Sequence, residues 1–85
     1  MEQIHDRHLA LIRGTPTYGW TERGGVGMEF TVDTVLRGCA TVFVSAEDVT
    51  RILFENQMDI HTLLAQKTCV IEEEGNTYRF VRFVW

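Results

Sequence analysis

Residues 68–85, TCVIEEEGNTYRFVRFVW, read as a β-hairpin, with strands at Thr68–Glu74 and Thr77–Trp85 around Gly75–Asn76. A two-residue Gly-Asn loop suits a primed turn. That loop sets a register in which Glu72 faces Arg79, Ile71 faces Phe80 and Val70 faces Val81. An opposite-charge pair and an aromatic–aliphatic pair both fall into place, each worth about 0.2–1 kcal/mol. Near the tip both faces are polar. Farther away Cys69, Ile71 and Phe80 share one face, interrupted by Arg82, and Val70, Val81, Phe83 and Trp85 share the other. A strand apolar on both sides must be covered on both sides. Central helices can cover one; the other falls to an N-terminal helix, an aromatic loop or a second protein.

Upstream, Ser45 and Asp48 have the spacing of a capping box with Asp in place of Glu, and Val49, Ile52 and Leu53 form a buried stripe behind it. Asn56–Asp59 is expected to break this helix, with Asp59 capping a second one that carries Ile60, Leu63 and Leu64. Cys39–Val44 reads as a β-branched strand, preceded by an Arg37–Gly38 turn. Met28, Phe30 and Val32 alternate with polar residues in a further strand, whose phase breaks before Val35, so a bulge or strand end is expected near Asp33–Thr34. Residues 14–27 hold Pro16, Gly14, Gly19, Gly24, Gly25 and Gly27 and read as a long loop bearing Tyr18 and Trp20. Residues 3–13 read as an amphipathic helix on Ile4, His8, Leu11 and Ile12, stopped by Gly14 and Pro16; a short strand through Leu9–Ile12 is the rival. The expected fold is α+β over a single domain, 1–85: an antiparallel sheet of about four strands with two to three short helices, in the order α-β-β-α-α-β-β.

At 85 residues the core is thin, and association would supply missing burial. The net charge of −4 opposes a nucleic-acid binder, which needs a basic surplus. Neither half compensates: residues 1–44 hold five acids and four bases, 45–85 seven and four. Met1 is followed by Glu2, Gln3, His5 and Asp6, so no secretory leader is read, and no apolar stretch is long enough to span a membrane. Cys39 and Cys69 form no CxxC; both thiols are expected reduced, in the cytoplasm.

No catalytic motif is present. His5 and His8 stand three apart, a spacing that suits metal ligands, but no third ligand lies nearby in sequence, and neither a metal nor another cofactor is expected. Gly24–Gly27 lacks the spacings of a phosphate-binding loop. Glu72, Glu73 and Glu74 alternate across a strand and read as a solvated acidic tip. Trp, Tyr and Arg are the usual anchors of interfaces, and seven of the eight bases are Arg. The expected function is a non-enzymatic protein-interaction module, contacting another protein or a second copy through Tyr18, Trp20, Arg82, Phe83 and Trp85, where the sequence closes with no shielding tail. Two rivals remain: a small acidic inhibitor of a larger, nucleic-acid-processing complex, and a small-ligand or metal-dependent enzyme using His8, His61 and a cysteine.

Overall fold

The computed structural model of the protein describes residues 6–22, 24–35, 38–75 and 77–85. Three strands come first: β1 (Asp6–Thr21), β2 (Gly25–Thr34) and β3 (Gly38–Ser45). Two helices, α1 (Ala46–Asn56) and α2 (Ile60–Leu64), lead to β4 (Thr68–Glu74) and β5 (Thr77–Phe83). The strands form one antiparallel sheet in the order β3-β2-β1-β4-β5. The fold is thus mostly β, a five-stranded curled half-barrel with two short helices, and this overturns the four-stranded α+β arrangement with a leading helix.

The correction lies almost entirely in β1. Residues 6–13 are strand, and the first five residues of the chain, with Ile4 and His5, lie outside the described residues. A short apolar run fits a helical and an extended period equally well. The choice is made by neighbours distant in sequence, β2 on one side and β4 on the other, which complete the hydrogen bonding of an extended β1. His8, Ala10 and Ile12 face Ile71, Cys69 and Val32, while Leu9 and Leu11 point away, 61% and 52% exposed. Gly14 and Pro16, read as a helix stop, occupy a register shift within the strand between Arg13 and Thr17. Gly14 has φ +72°, and Pro16 is buried there; bulges are where strands tolerate both residues. The expected loop over residues 14–27 is likewise replaced, because β1 runs on to Thr21 and β2 starts at Gly25. Thr21 closes the turn, its hydroxyl donating to the Gly25 carbonyl at 2.7 Å and accepting from the Gly24 amide at 3.3 Å.

Elsewhere the elements follow local chemistry. β2 ends at Thr34, where the phase breaks. The Ser45 hydroxyl accepts the Asp48 amide at 3.2 Å and caps α1. Gln57, at φ 54°, ends that helix, and Asp59 caps α2 by accepting the Thr62 amide at 2.8 Å. The core fills the concave face: Met28, Phe30 and Val32 of β2, Val42 and Val44 of β3, and Cys69 and Ile71 of β4 lie beneath Val49 of α1 and Leu63 of α2.

The β4–β5 hairpin has the expected pairs at its tip, Glu72 with Arg79 and Ile71 with Phe80. Val70, however, pairs with Arg82 and not with Val81, because a bulge intervenes between Val70 and Ile71. One extra residue on β5 reverses its parity beyond Phe80. Phe83 therefore turns inward opposite Cys69, and Arg82 turns outward.

Candidate protein-interaction groove

The bulge decides what the end of β5 offers. Phe83, 3% exposed, packs with Phe80 at 4.9 Å and Phe30 at 5.5 Å between ring centroids. Trp85 stacks on Phe83 at 6.1 Å, with the ring planes 22° apart, yet stays 57% exposed. Offset stacking of this kind holds an aromatic ring in place while leaving its other face open.

Helix α1 supplies the facing wall. Asp48, Ile52 and Glu55 recur at helical spacing, so they share one side of α1 with Arg51 beside them. Between this wall and β5 lies a groove of about 350 Å³, floored by Val44, Phe80 and Phe83 and edged by Arg82 and Trp85. Asp48 and Arg51 satisfy one another at 3.1 Å. Glu55 and Arg82 are both exposed and have no ion-pair partner among the described residues.

Of the residues singled out by sequence, Arg82, Phe83 and Trp85 meet at this groove, Phe83 as a buried support beneath Trp85. Tyr18 and Trp20 lie elsewhere, opposite Met28 and Val26 on the β1–β2 hairpin, and are 41% and 81% exposed. No ring contact or hydrogen bond among the described residues joins them to the groove. The α1 wall was missed in sequence, since only the fold sets it beside β5.

A second opening, of about 380 Å³, lies between edge strands β3 and β5 and is lined by Thr41, Phe43, Tyr78 and Phe80. The Tyr78 hydroxyl donates to the Thr41 carbonyl and ties these edges together. Its charged residue, Arg79, is held by Glu72 at 2.7 Å. Arg79 and, more weakly, Arg7 at 3.2 Å keep the Glu72 carboxyl below the usual carboxylate range.

The acidic tip needs one correction. Glu73 is 3% exposed, because it shares the inward parity of Cys69 and Ile71. Its Oε1 accepts the Val35 amide at 2.9 Å and lies 3.3 Å from His8 Nε2, while Oε2 is buried without a partner. This carboxylate pins the end of β2 to the β4–β5 hairpin. The parity signal was legible, but charge argued the other way.

The enzyme reading names His8, His61 and a cysteine. His8 is engaged with Glu73, and His61 is exposed on α2. Burial pushes the Cys69 thiol up to about 11, which leaves little thiolate at neutral pH. Cys39 is exposed, its thiol 3.7 Å from Asp33 Oδ1. Among the described residues no group of three or more His, Cys, Asp or Glu is placed to hold a metal ion, and no helix is long and apolar enough to cross a membrane. No family model, no curated protein and no solved structure matches the chain.

Proposed function

We propose that this chain is a non-enzymatic protein-interaction module whose contact surface is the groove between α1 and β5, with Arg82 and Trp85 as its anchors. The observation that carries this reading is Trp85, 57% exposed yet stacked on a buried ring at the rim of a half-apolar groove. A side chain already oriented loses little freedom on binding, so more of its burial energy is left for affinity. Trp and Arg are among the side-chain types that most often dominate such contacts. Phe83 supports Trp85 from below and does not itself meet the partner. Tyr18 and Trp20 form a separate patch. Both signs of charge line the groove, so its recognition does not rest on acidity alone.

The test compares protein capture by the full chain, a Trp85→Ala/Arg82→Glu variant and a Trp20→Ala control. Binding of any protein, a second copy included, should be lost in the double variant and kept in the control. Unchanged capture by a correctly folded double variant removes the groove from consideration.

A further inference from the structure

We propose that His8, Glu73 and the Val35 amide form a proton-operated latch between the end of β2 and the β4–β5 hairpin, closed while a proton is held between His8 Nε2 and Glu73 and open once that proton leaves to water. Glu73 lies on the inward face of β4 and is 3% exposed. Its Oε1 accepts the Val35 amide at 2.9 Å and stands 3.3 Å from His8 Nε2, while Oε2 meets no hydrogen-bond donor among the described residues. A carboxylate held this far from water needs an opposite charge beside it. His8 is placed to supply it. Its Nδ1 lies 3.1 Å from the Leu9 carbonyl, which can only accept, so Nδ1 carries a proton. Nε2 faces a carboxylate oxygen, and it too must donate when Glu73 is ionised. A ring between two acceptors is then doubly protonated. Shifting the Nε2 proton onto Glu73 leaves the same count, so the pair holds one proton between them in either arrangement.

Loss of that proton sets the Nε2 lone pair against Oε1 of an ionised Glu73, acceptor against acceptor, with the buried charge unmatched. The carboxylate relieves this by turning toward solvent, and the Val35 amide loses its acceptor. The His8 side chain is 22% exposed, so the proton reaches water without unfolding of the sheet. A tie made only by the protonated pair is complete on the acid side of the histidine titration and lost on the alkaline side. The neighbouring titratable groups are few. The register gives Glu73 two cross-strand neighbours, Asp6 on β1 and Tyr78 on β5, and the Tyr78 hydroxyl donates to the Thr41 carbonyl. Arg7, Glu72 and Arg79 alternate onto the opposite face of the sheet, where they pair with one another. The inward face of β2 is apolar, with Met28, Phe30 and Val32. Of the helices, α2 packs on β1, and its titratable side chain, His61, is exposed.

The deciding experiment is hydrogen exchange of the Val35 amide in the full chain from about pH 5 to 9, corrected for the intrinsic rate, with the His8 ring followed by NMR in the same samples. Protection of Val35 should fall about tenfold as the His8 ring loses its proton, while that of Val32 inside β2 stays constant. His8→Gln cannot hold the proton and Glu73→Gln cannot hold the charge, so the Val35 profile should be flat in both. Asp6→Asn and His61→Gln should keep the wild-type fall. The latch is refuted by Val35 protection that does not change across the His8 titration, by a fall that persists in His8→Gln, or by a fall shared equally with Val32, which is unfolding of the whole sheet. If neither glutamine variant folds, the wild-type profiles of Val35, Val32 and the His8 ring still decide.

Discussion

The β4–β5 and β1–β2 hairpins both set aromatic side chains toward the helix-covered side of the sheet, with different results. Phe80 and Phe83 on β5 pack with Phe30 and with each other, and Phe83 is buried in the core. Trp20 on β1 has the same facing but only Val26 opposite it, and it remains 81% exposed. The helices are short and cover only part of the concave face. Where they end, an inward-facing aromatic becomes a surface residue. Trp85 lies at that boundary, supported on one side and open on the other.

The largest test of this contrast is Phe83→Ala against Trp20→Ala in urea unfolding. Removing the buried ring should cost about 3–5 kcal/mol, whereas the exposed indole should change stability by less than about 0.5 kcal/mol. Similar costs for the two would erase the distinction between a docked hairpin and an uncovered one.

A smaller effect is expected at Glu73, which gives the docked hairpin a second tie, to Val35. Glu73→Ala strands a part-buried amide and should cost about 1–3 kcal/mol. Glu73→Gln keeps an acceptor and should cost less. Equal losses would mean that the carboxylate does not act through this hydrogen bond.

Thiol labelling sharpens the same comparison. Cys69 lies within the docked hairpin and Cys39 at an exposed edge. In the folded chain at neutral pH, alkylation of Cys69 should run at least about a hundredfold slower than that of Cys39. Comparable rates would place Cys69 in frequent contact with solvent.

Acid should have the mildest effect. Arg79 with Arg7 lowers Glu72 across the docked hairpin, and Arg13 lowers Asp33 beside the other. A carboxyl lowered by folding contributes stability that is complete above its unfolded value and is lost as pH falls through its folded value. The unfolding midpoint should therefore decline on acidification below the ordinary carboxylate range, with the decline blunted by salt because the arginines of both sites are exposed. A midpoint that rises instead would contradict these ion pairs.

What could be read from the sequence follows the reach of each signal. The 68–85 hairpin was legible because a two-residue loop and its nearest cross-strand pairs are local. So were both helix starts, since Ser45 with Asp48 and Asp59 with Thr62 sit within one turn. β1 was not legible. Its partner β4 lies about sixty positions away, and Gly14 and Pro16, which usually interrupt elements, here mark a bend inside one. The Val81 bulge carried no sequence mark, so Phe83 was assigned to the wrong face. Arg82 and Trp85 were found as candidates from type and position, whereas Asp48, Arg51 and Glu55 gained meaning only once the fold set α1 against β5.

Trp85 carries the interface reading, and acrylamide quenching of its fluorescence in a Trp20→Phe chain tests it. Dilute protein should be quenched readily, as a residue 57% exposed must be. Quenching should fall severalfold in the complex with a captured protein or a second copy, where the groove is covered. Quenching of Trp85 that is the same in the complex as in the free chain would contradict the claim that this groove is an interface.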